Sequence, residues 1–529
     1  MIGGGITGAG IARDAAMRGL RVVLVDQQDF AAGTSSRSSR LIHGGLRYLE
    51  EGNLRLVFEA SRERRTLLRI APHLVRPLPF IFPVHGGDRV PLWKLGAGVW
   101  LYDLLALFRN VRSHRILGKR ALLQAEPMLR ERGLKGGARY YDAQCDDARL
   151  VIANIRSALG HGAKAMNYTR VEALEAPGGE ARGARVTDLL TGASGTIRAA
   201  LVVNACGPWS DAIRRLEDPA AAPVLRLTKG AHVIVPRRRL GNNEAITLTS
   251  PLDGRVMFVL PWGELSYIGT TDTDTAETPD AVRVSEEDIH YLLRSANAYF
   301  PNAHLNEADV LASWAGLRPL LAPETEVGAS HVSREHRIIR GPLGMLTIAG
   351  GKLTTYRSMA AELVDVAVRE LQKSGRGGGT AREAAGTDRE PLPGGEARDL
   401  EPFRQPGLDL GLPPDSVDHL LHHFGTEAAA IYNLVRQDRA LLAPIVAGHP
   451  AIEAEVIHVT RRELAQHVDD VMVRRLHLYY EAPRHGVSGA AKVAALMGRE
   501  LSWNEARVAE EAARYLKMVE VGESPRLDA

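Results

Sequence analysis

The chain opens MIGGGITGAGIARDAAMRGLRVVLVD, residues 1–26, and the rest of it is organised around this stretch. Gly3, Gly5 and Gly8 form a G-x-G-x-x-G at the head of a helical pattern carried by Ile6, Ala9, Ile11, Ala12, Ala15 and Ala16. Gly19 closes the helix, and Arg21-Val22-Val23-Leu24-Val25 reads as a buried strand ending in Asp26. The glycines permit a tight turn and a close approach of backbone to a pyrophosphate, while the helix N-terminus offers N–H groups and a positive dipole end to that anion. Asp26 stands where a carboxylate accepts from a ribose hydroxyl. Glycine-rich turns alone are common; glycines, helix, strand and terminal acid in register predict a dinucleotide site that includes Gly3, Gly5, Ile6, Thr7, Gly8 and Asp26. Only Met1 and Ile2 precede Gly3, so the central strand is cut to a stub. This predicts either residues missing ahead of Met1 or a cofactor held less securely.

Length and composition set bounds. With 529 residues there is room for several domains and ample core. A net charge of +3 from 66 basic and 63 acidic residues argues against a dedicated nucleic-acid binder. Cys145 and Cys206 are the only cysteines and read as reduced cytosolic thiols, with neither a disulfide framework nor a metal cluster. No signal-peptide pattern is present, so a cytoplasmic location is expected. The most lipid-like segment, Pro91 to Phe108 (PLWKLGAGVWLYDLLALF), is short for a membrane span and is interrupted by Lys94 and Asp103. Its favoured reading is a buried helix. The alternative is an interfacial segment with Trp93, Trp100 and Phe108 at headgroup depth and Arg89, Arg109, Arg112 and Arg115 at its flanks.

Downstream, Thr34-Ser35-Ser36-Arg37-Ser38-Ser39-Arg40 lies beside the pyrophosphate crevice, and its hydroxyls (Thr34, Ser35, Ser36, Ser39) are expected to donate there. His43-Gly44-Gly45-Leu46 lets backbone pass close to something flat, and Arg47 and Tyr48 follow where a substrate anion is gripped. A helix is read from Asn53 to Ile70, a short strand at Phe80-Ile81-Phe82 among prolines, and a helix capped by Asp146-Asp147. Strands are read at Arg185–Leu190 and Ile197–Asn204, the second ending in a small-residue turn at Gly207. From Leu225 to Asp272 the texture is β and carries His232 and Thr270. A helix with a capping-box spacing at Ser285 and Asp288 follows, then Arg318. Met345–Ala349 runs into Gly350-Gly351-Lys352-Leu353-Thr354 and a helix, a second strand–glycine–helix anion or ring site. The expected fold class is α/β: a Rossmann-like binding domain (1–75, 145–225, 330–375), a mixed, largely antiparallel substrate domain (76–144, 226–329), a Gly-rich linker (376–398) and an all-α C-terminal domain (399–529). Within the last, Glu463 to Leu476 reads as an amphipathic basic helix.

Taken together, GGGITGAGIARDAAMRGLRVVLVD, TSSRSSRLIHGGLRYLE, DDARLV, VNACGPWS, TKGAHVIVP, IGTTDT, GLRPL and AGGKLTTYR resemble, in order and spacing, the flavin-dependent glycerol-3-phosphate dehydrogenases of the glycine-oxidase-like group. The resemblance implies FAD bound non-covalently and oxidation of sn-glycerol 3-phosphate to dihydroxyacetone phosphate, with electrons leaving to quinone. By it, Arg47, Tyr48, Thr270, Arg318 and Lys352 match substrate-binding positions, and His232, Arg318 and Lys352 catalytic ones. It adds His43, Gly44, Gly45, Leu46, Gly207, Gly351, Lys352, Leu353 and Thr354 to the cofactor set. A dianionic phosphate calls for fixed cations, and hydride loss at C2 for a base near neutrality, for which His232 is the candidate. Peripheral attachment to the inner face of the cytoplasmic membrane and a homodimer are compatible with these features. The rivals are an oxygen-reducing glycerol-phosphate oxidase or an amine oxidase of the same fold, a nicotinamide-dependent dehydrogenase, and a non-catalytic flavin-binding partner.

Overall fold

The computed structural model describes residues 1–50, 52–107, 110–322, 335–375 and 385–522, and for Arg47 and Glu50 the backbone alone. Its organising sheet is parallel and runs in the order Lys164–Met166, Val23–Val25, Ile2, Val203–Asn204, Leu346–Gly350, with His336–Arg340 added antiparallel. The stub is the centre of this sheet. Ile2 donates to Val203 O at 2.8 Å and accepts from Ala205 N at 2.8 Å, while Gly3 donates to Val25 O at 2.8 Å. The helix Ile6–Met17 lies between Asp147–Gly160 and Tyr356–Lys373, and their small apolar faces form a closed core. A separate antiparallel sheet, Thr169–Leu174, Gly183–Asp188 and Ser194–Arg198, covers the opposite face through Val171, Val186, Val202 and Met345. The single strand expected over Ile197–Asn204 is therefore two: its start closes the small sheet, and its end enters the parallel one.

Among the described residues the second sheet has ten strands. Leu225–Pro236 pairs with Ala312–Leu321 on one side and Leu265–Gly269 on the other, and the sheet continues through Val256–Trp262, Ala245–Thr249, Val75–His85 and Leu134–Cys145 to Leu41–Ile42. All its pairings are antiparallel except Ala245–Thr249 with Val75–His85. The three-residue strand expected at Phe80–Phe82 is eleven residues long despite Pro77, Pro79 and Pro83. These prolines share one parity, so their missing N–H groups fall on one edge of the strand. The parallel neighbour pairs with it only at Phe80 and Ile81. The helix Glu286–Tyr299 packs on one face of the sheet and starts with the expected Ser285/Asp288 capping box.

Two expectations need correction. Leu92–Leu105 is a helix, but it is not buried: Leu95, Val99, Tyr102 and Asp103 face inward, while Trp93 is 76 % and Trp100 54 % exposed. Phe108 and Arg109 lie outside the described residues. Next, Glu463–Leu476 is not one helix. The chain leaves the helix Glu453–Arg462, Leu464 adopts φ 58°, and a wide turn follows at Asp470–Arg475. Its arginines are buried: Arg475 Nη1 and Nη2 bind Asp29 at 2.5 and 3.0 Å, and Arg474 Nε binds the same carboxylate at 2.6 Å. A buried guanidinium requires such a partner, and here the ion pairs fasten the C-terminal helices beside Asp26. The described part of the linker packs against the body of the chain. Leu392 is fully buried, and the buried Arg13 donates to Glu390 O at 2.7 Å. Residues 376–384 of that linker lie outside the described residues.

Candidate functional site

The carboxyl ends of the parallel strands open into a cleft with ≈ 1270 Å³ of space, including its open mouth. Gly3, Gly5, Ile6, Thr7, Asp26, Thr34, Ser35, Gly207, Gly351, Lys352 and Leu353 of the sequence-derived set all line it. Gly8 does not; its role is steric. A Cβ there would stand 1.9 Å from Gly3 O, so any larger residue would push the helix off the turn. Asp26 Oδ2 accepts from Gly4 N at 2.6 Å and Oδ1 from Gln28 N at 2.8 Å. Burial raises its pKa to about 6 against the lowering effect of these two N–H groups. Sequence reasoning missed Gln28, Thr169 and Pro319 in the lining, and of the turn it placed beside the cofactor it singled out only Gly207, although Cys206 and Trp209 line the cleft too. Pro319 follows Arg318 inside the quoted GLRPL motif, and Cys206 and Trp209 lie inside VNACGPWS, so a signal existed for these three.

The hydroxyl-rich segment does more than face the cleft. Ser35 Oγ accepts from Ile6 N at 2.9 Å, at the head of the glycine-motif helix. Thr34 donates to Leu317 O at 2.5 Å, and Ser39 Oγ lies 2.8 Å from His232 Nε2. Ser36 is buried. Tyr267 OH donates to Ser39 O at 3.0 Å and Trp314 Nε1 to Ser38 O at 3.2 Å. The loop thus seams the nucleotide cleft to the antiparallel sheet. His43 and Thr354 make a second seam: Thr354 Oγ1 accepts from His43 N and donates to His43 O, both at 3.2 Å. Gly44 is held by protein packing, because a Cβ there would meet Tyr102 OH at 2.3 Å, and its N–H donates to that hydroxyl at 2.9 Å. His43, Gly44, Gly45 and Leu46 precede the short helix Arg47–Glu50 and are not among the described residues lining this cleft.

Of the remaining candidates, His232, Thr270 and Arg318 stand on or at the end of three adjacent strands, while Tyr48 lies on the short helix Arg47–Glu50 and Lys352 follows Leu346–Gly350. His232 faces Gly269 across one strand pair and Trp314 across the other. Its ring stacks on the Trp314 indole at 4.8 Å and 11°. Burial, reinforced by the Arg318 and Arg40 charges, holds its pKa well below the usual histidine value, so it is neutral at physiological pH. Arg318 is fixed by four acceptors: Asp272 Oδ1 at 3.0 Å, Thr270 Oγ1 at 2.9 Å, Thr271 O at 3.0 Å and Lys229 O at 3.3 Å. Gly230 is required here, since a Cβ would lie 2.4 Å from Arg318 Nη2 and 2.7 Å from Thr270 Oγ1. Asp272 was not read as a site residue, although it stands in the IGTTDT motif. Lys352 lines the cleft and also reaches the second cluster: its ammonium sits 3.3 Å above the Tyr48 ring. The structure therefore brings together His232 with Ser39, Thr270 with Arg318, and Tyr48 with Lys352. The backbone of Arg47 opens the short helix Arg47–Glu50; its side chain is outside the described residues.

A glycine-turned cleft at the end of a parallel sheet, sealed by an antiparallel sheet bearing a neutral histidine and a fixed arginine, defines a class: two-domain flavin-type oxidoreductases. The sequence comparisons agree. Residues 1–357 match the FAD dependent oxidoreductase family, and 385–508 match the C-terminal domain of alpha-glycerophosphate oxidase. Over 527 residues the chain is 39 % identical to glycerol-3-phosphate dehydrogenase 2 of Mycobacterium tuberculosis, covering 98 % of this chain and 87 % of that protein. It is 36 % identical over 549 residues to the human mitochondrial glycerol-3-phosphate dehydrogenase, covering 99 % and 74 %. The solved glycerol-3-phosphate dehydrogenase of Bacillus halodurans, complexed with FAD, superposes with a TM-score of 0.80 at 30 % identity, covering 100 % of this chain and 95 % of that one. The glycine oxidase of Geobacillus kaustophilus shares the fold, with a TM-score of 0.51 at 21 % identity over 70 % of this chain and 93 % of that one. The chain belongs to the family of FAD-dependent glycerol-3-phosphate dehydrogenases.

Proposed function

We propose that this protein oxidises sn-glycerol 3-phosphate to dihydroxyacetone phosphate with FAD as hydride acceptor, and that the electrons pass on to a membrane quinone. The observation that carries the reading is the site's composition: a fixed Arg318 and a buried neutral His232 on paired strands, with the Lys352 ammonium on the wall of the dinucleotide cleft. In it, the N–H groups at the head of Ile6–Met17 face the pyrophosphate, Asp26 takes the ribose, and Thr34, Ser35, Gly207, Gly351 and Leu353 wall the cofactor. Ser36, Ser39, His43, Gly44, Gly45, Leu46 and Thr354 hold that wall in place. The bound flavin supplies a two-electron acceptor. His232 is the base that takes the proton from the C2 hydroxyl, a role its neutral state permits. Thr270 and Asp272 aim the Arg318 fork at the substrate's oxygens, and Lys352 and Arg47 add the charge a phosphate dianion requires.

For the quinone route the support is the exposed face of Leu92–Leu105. Trp93, Trp100, Leu104 and Leu107 project beside Arg89, Lys94, Arg112 and Arg115, the composition of an interfacial helix. Among the described residues no helix is long and apolar enough to cross a membrane. Anaerobic turnover of glycerol 3-phosphate with a short-chain quinone analogue, scored by stoichiometric dihydroxyacetone phosphate, tests the reading. Peroxide formation in air without quinone reduction would select the oxidase instead, and turnover of glycine or sarcosine in place of the phosphate the amine oxidase.

A further inference from the structure

Where the C-terminal helices meet the start of Asp147–Gly160, three buried side chains converge. Asp146 caps Asp147–Gly160, as its sequence position predicts, with Oδ1 accepting from Arg149 N at 3.0 Å. Its other oxygen, Oδ2, is turned to two histidines: His477 Nε2 at 2.7 Å and His423 Nε2 at 4.0 Å. His423 lies on the helix Pro414–Phe424, and His477 follows the wide turn Asp470–Arg475. The three donor atoms lie within 4.8 Å of one another.

The tautomers decide what this cluster is for. His423 Nδ1 is 3.0 Å from His419 O, and His477 Nδ1 is 3.0 Å from Val473 O. A carbonyl only accepts, so both Nδ1 atoms carry the hydrogen, and both Nε2 lone pairs point at a carboxylate. A proton on His477 would satisfy its own contact with Asp146 and leave the other ring as it is. His423 Nε2 has no hydrogen-bond partner among the described residues, although His423 is 9 % exposed. One cation between them satisfies all three. Ring N–H to carbonyl bonds of this kind are also how metal-ligating histidines are held. A tetrahedral ion with bonds of about 2.0–2.1 Å sets ligand–ligand edges of about 3.3 Å, between the two measured separations.

The surrounding charges leave the carboxylate available. Arg149 is taken by Glu463, at 2.7 and 2.8 Å. Arg40 lies 3.9 Å from Asp147 and over the Trp262 ring. Arg76 faces Glu481 as well as Asp146. His419 is paired with Glu455 at 2.9 Å.

We propose that Asp146, His423 and His477 form a binding site for one divalent zinc-class ion, which fastens the C-terminal helices to the flavin-binding part of the chain. Two imidazoles and a carboxylate match zinc chemistry, leaving a fourth position for water, and do not match the all-oxygen preference of magnesium or calcium.

The test uses the full-length flavoprotein, stripped with a chelator, dialysed against zinc and desalted, with metal counted per chain and flavin absorbance recorded. Wild type is expected to retain one zinc ion per chain and to gain thermal stability from it. His423→Leu and His477→Leu should lose both effects while staying yellow, and a control with the exposed His161 and His290 changed to Gln should keep both. Wild type retaining less than about a tenth of an ion per chain, or variants binding as wild type does, would overturn the proposal. Should the variants fail to fold, zinc-edge absorption spectroscopy of the loaded wild type decides: two imidazoles and a carboxylate oxygen support the site, and any other ligand set refutes it.

Discussion

Arg318→Ala separates what the arginine does for the substrate from what it does for the fold. In the site it is the only group bonded at once to Asp272, Thr270, Thr271 O and Lys229 O among the described residues. Losing a donor aimed at the reacting oxygens costs about 2.7–4 kcal/mol, or roughly 10²–10³ in kcat/KM. The change also removes the Arg318 bond to Asp272, which is 7 % exposed. A buried charge-assisted hydrogen bond is worth about 1.5–3 kcal/mol; with the arginine side chain 20 % exposed, the lower end applies. Adding Asp272→Asn should therefore return most of the lost stability and none of the rate. The assay is anaerobic steady-state turnover with an artificial acceptor, beside thermal denaturation and flavin absorbance at full cofactor loading. Turnover within threefold of wild type in Arg318→Ala would refute the role given to the arginine, and recovery of turnover in the double variant would refute the separation.

The other predictions follow from neighbouring contacts. Gly230→Ala should cut kcat/KM by about tenfold or more with flavin content unchanged, because its methyl displaces both the Arg318 fork and the Thr270 hydroxyl; a neutral result would mean that the fork's position is unimportant. His232, with its native pKa below the unfolded 6.5, binds a proton in the unfolded state first, so its share of stability is complete above pH 6.5 and falls by at most about 1.4 kcal/mol per unit as pH drops. The pH-dependence of unfolding in His232→Gln should be flatter below pH 6.5 than that of wild type. Asp26→Ala leaves the Gly4 and Gln28 N–H groups without their acceptor and removes the proposed ribose contact, so FAD should dissociate roughly tenfold or more faster, measured by flavin fluorescence on dilution. Trp93→Ala with Trp100→Ala should weaken binding to anionic liposomes without altering soluble turnover, since both rings are exposed; unchanged sedimentation with vesicles would remove this helix from the membrane reading.

What could be read from the sequence divides along local and non-local lines. The glycine turn, Asp26 and the Gly350–Thr354 turn are local patterns, and they do meet in one cleft. Residues whose task depends on a distant partner were misread or missed. Arg474 and Arg475 look like surface charge until Asp29, more than four hundred residues earlier, is found beneath them. The strand Val75–His85 was shortened because prolines break isolated strands, whereas a sheet that leaves one edge sparsely paired accepts them. The helix over Leu92–Leu105 has apolar residues on every side, so periodicity could not tell its packed face from its open one. His423 and His477 carry no spacing signal at all, because they join only through the fold.

The central claim is tested most directly by the visible spectrum of the purified protein, recorded anaerobically before and after adding glycerol 3-phosphate. The account predicts an oxidised flavin spectrum that bleaches on mixing. A yellow protein that keeps its colour would contradict the substrate assignment, and a protein that stays colourless even when supplied with FAD would contradict the cofactor site itself.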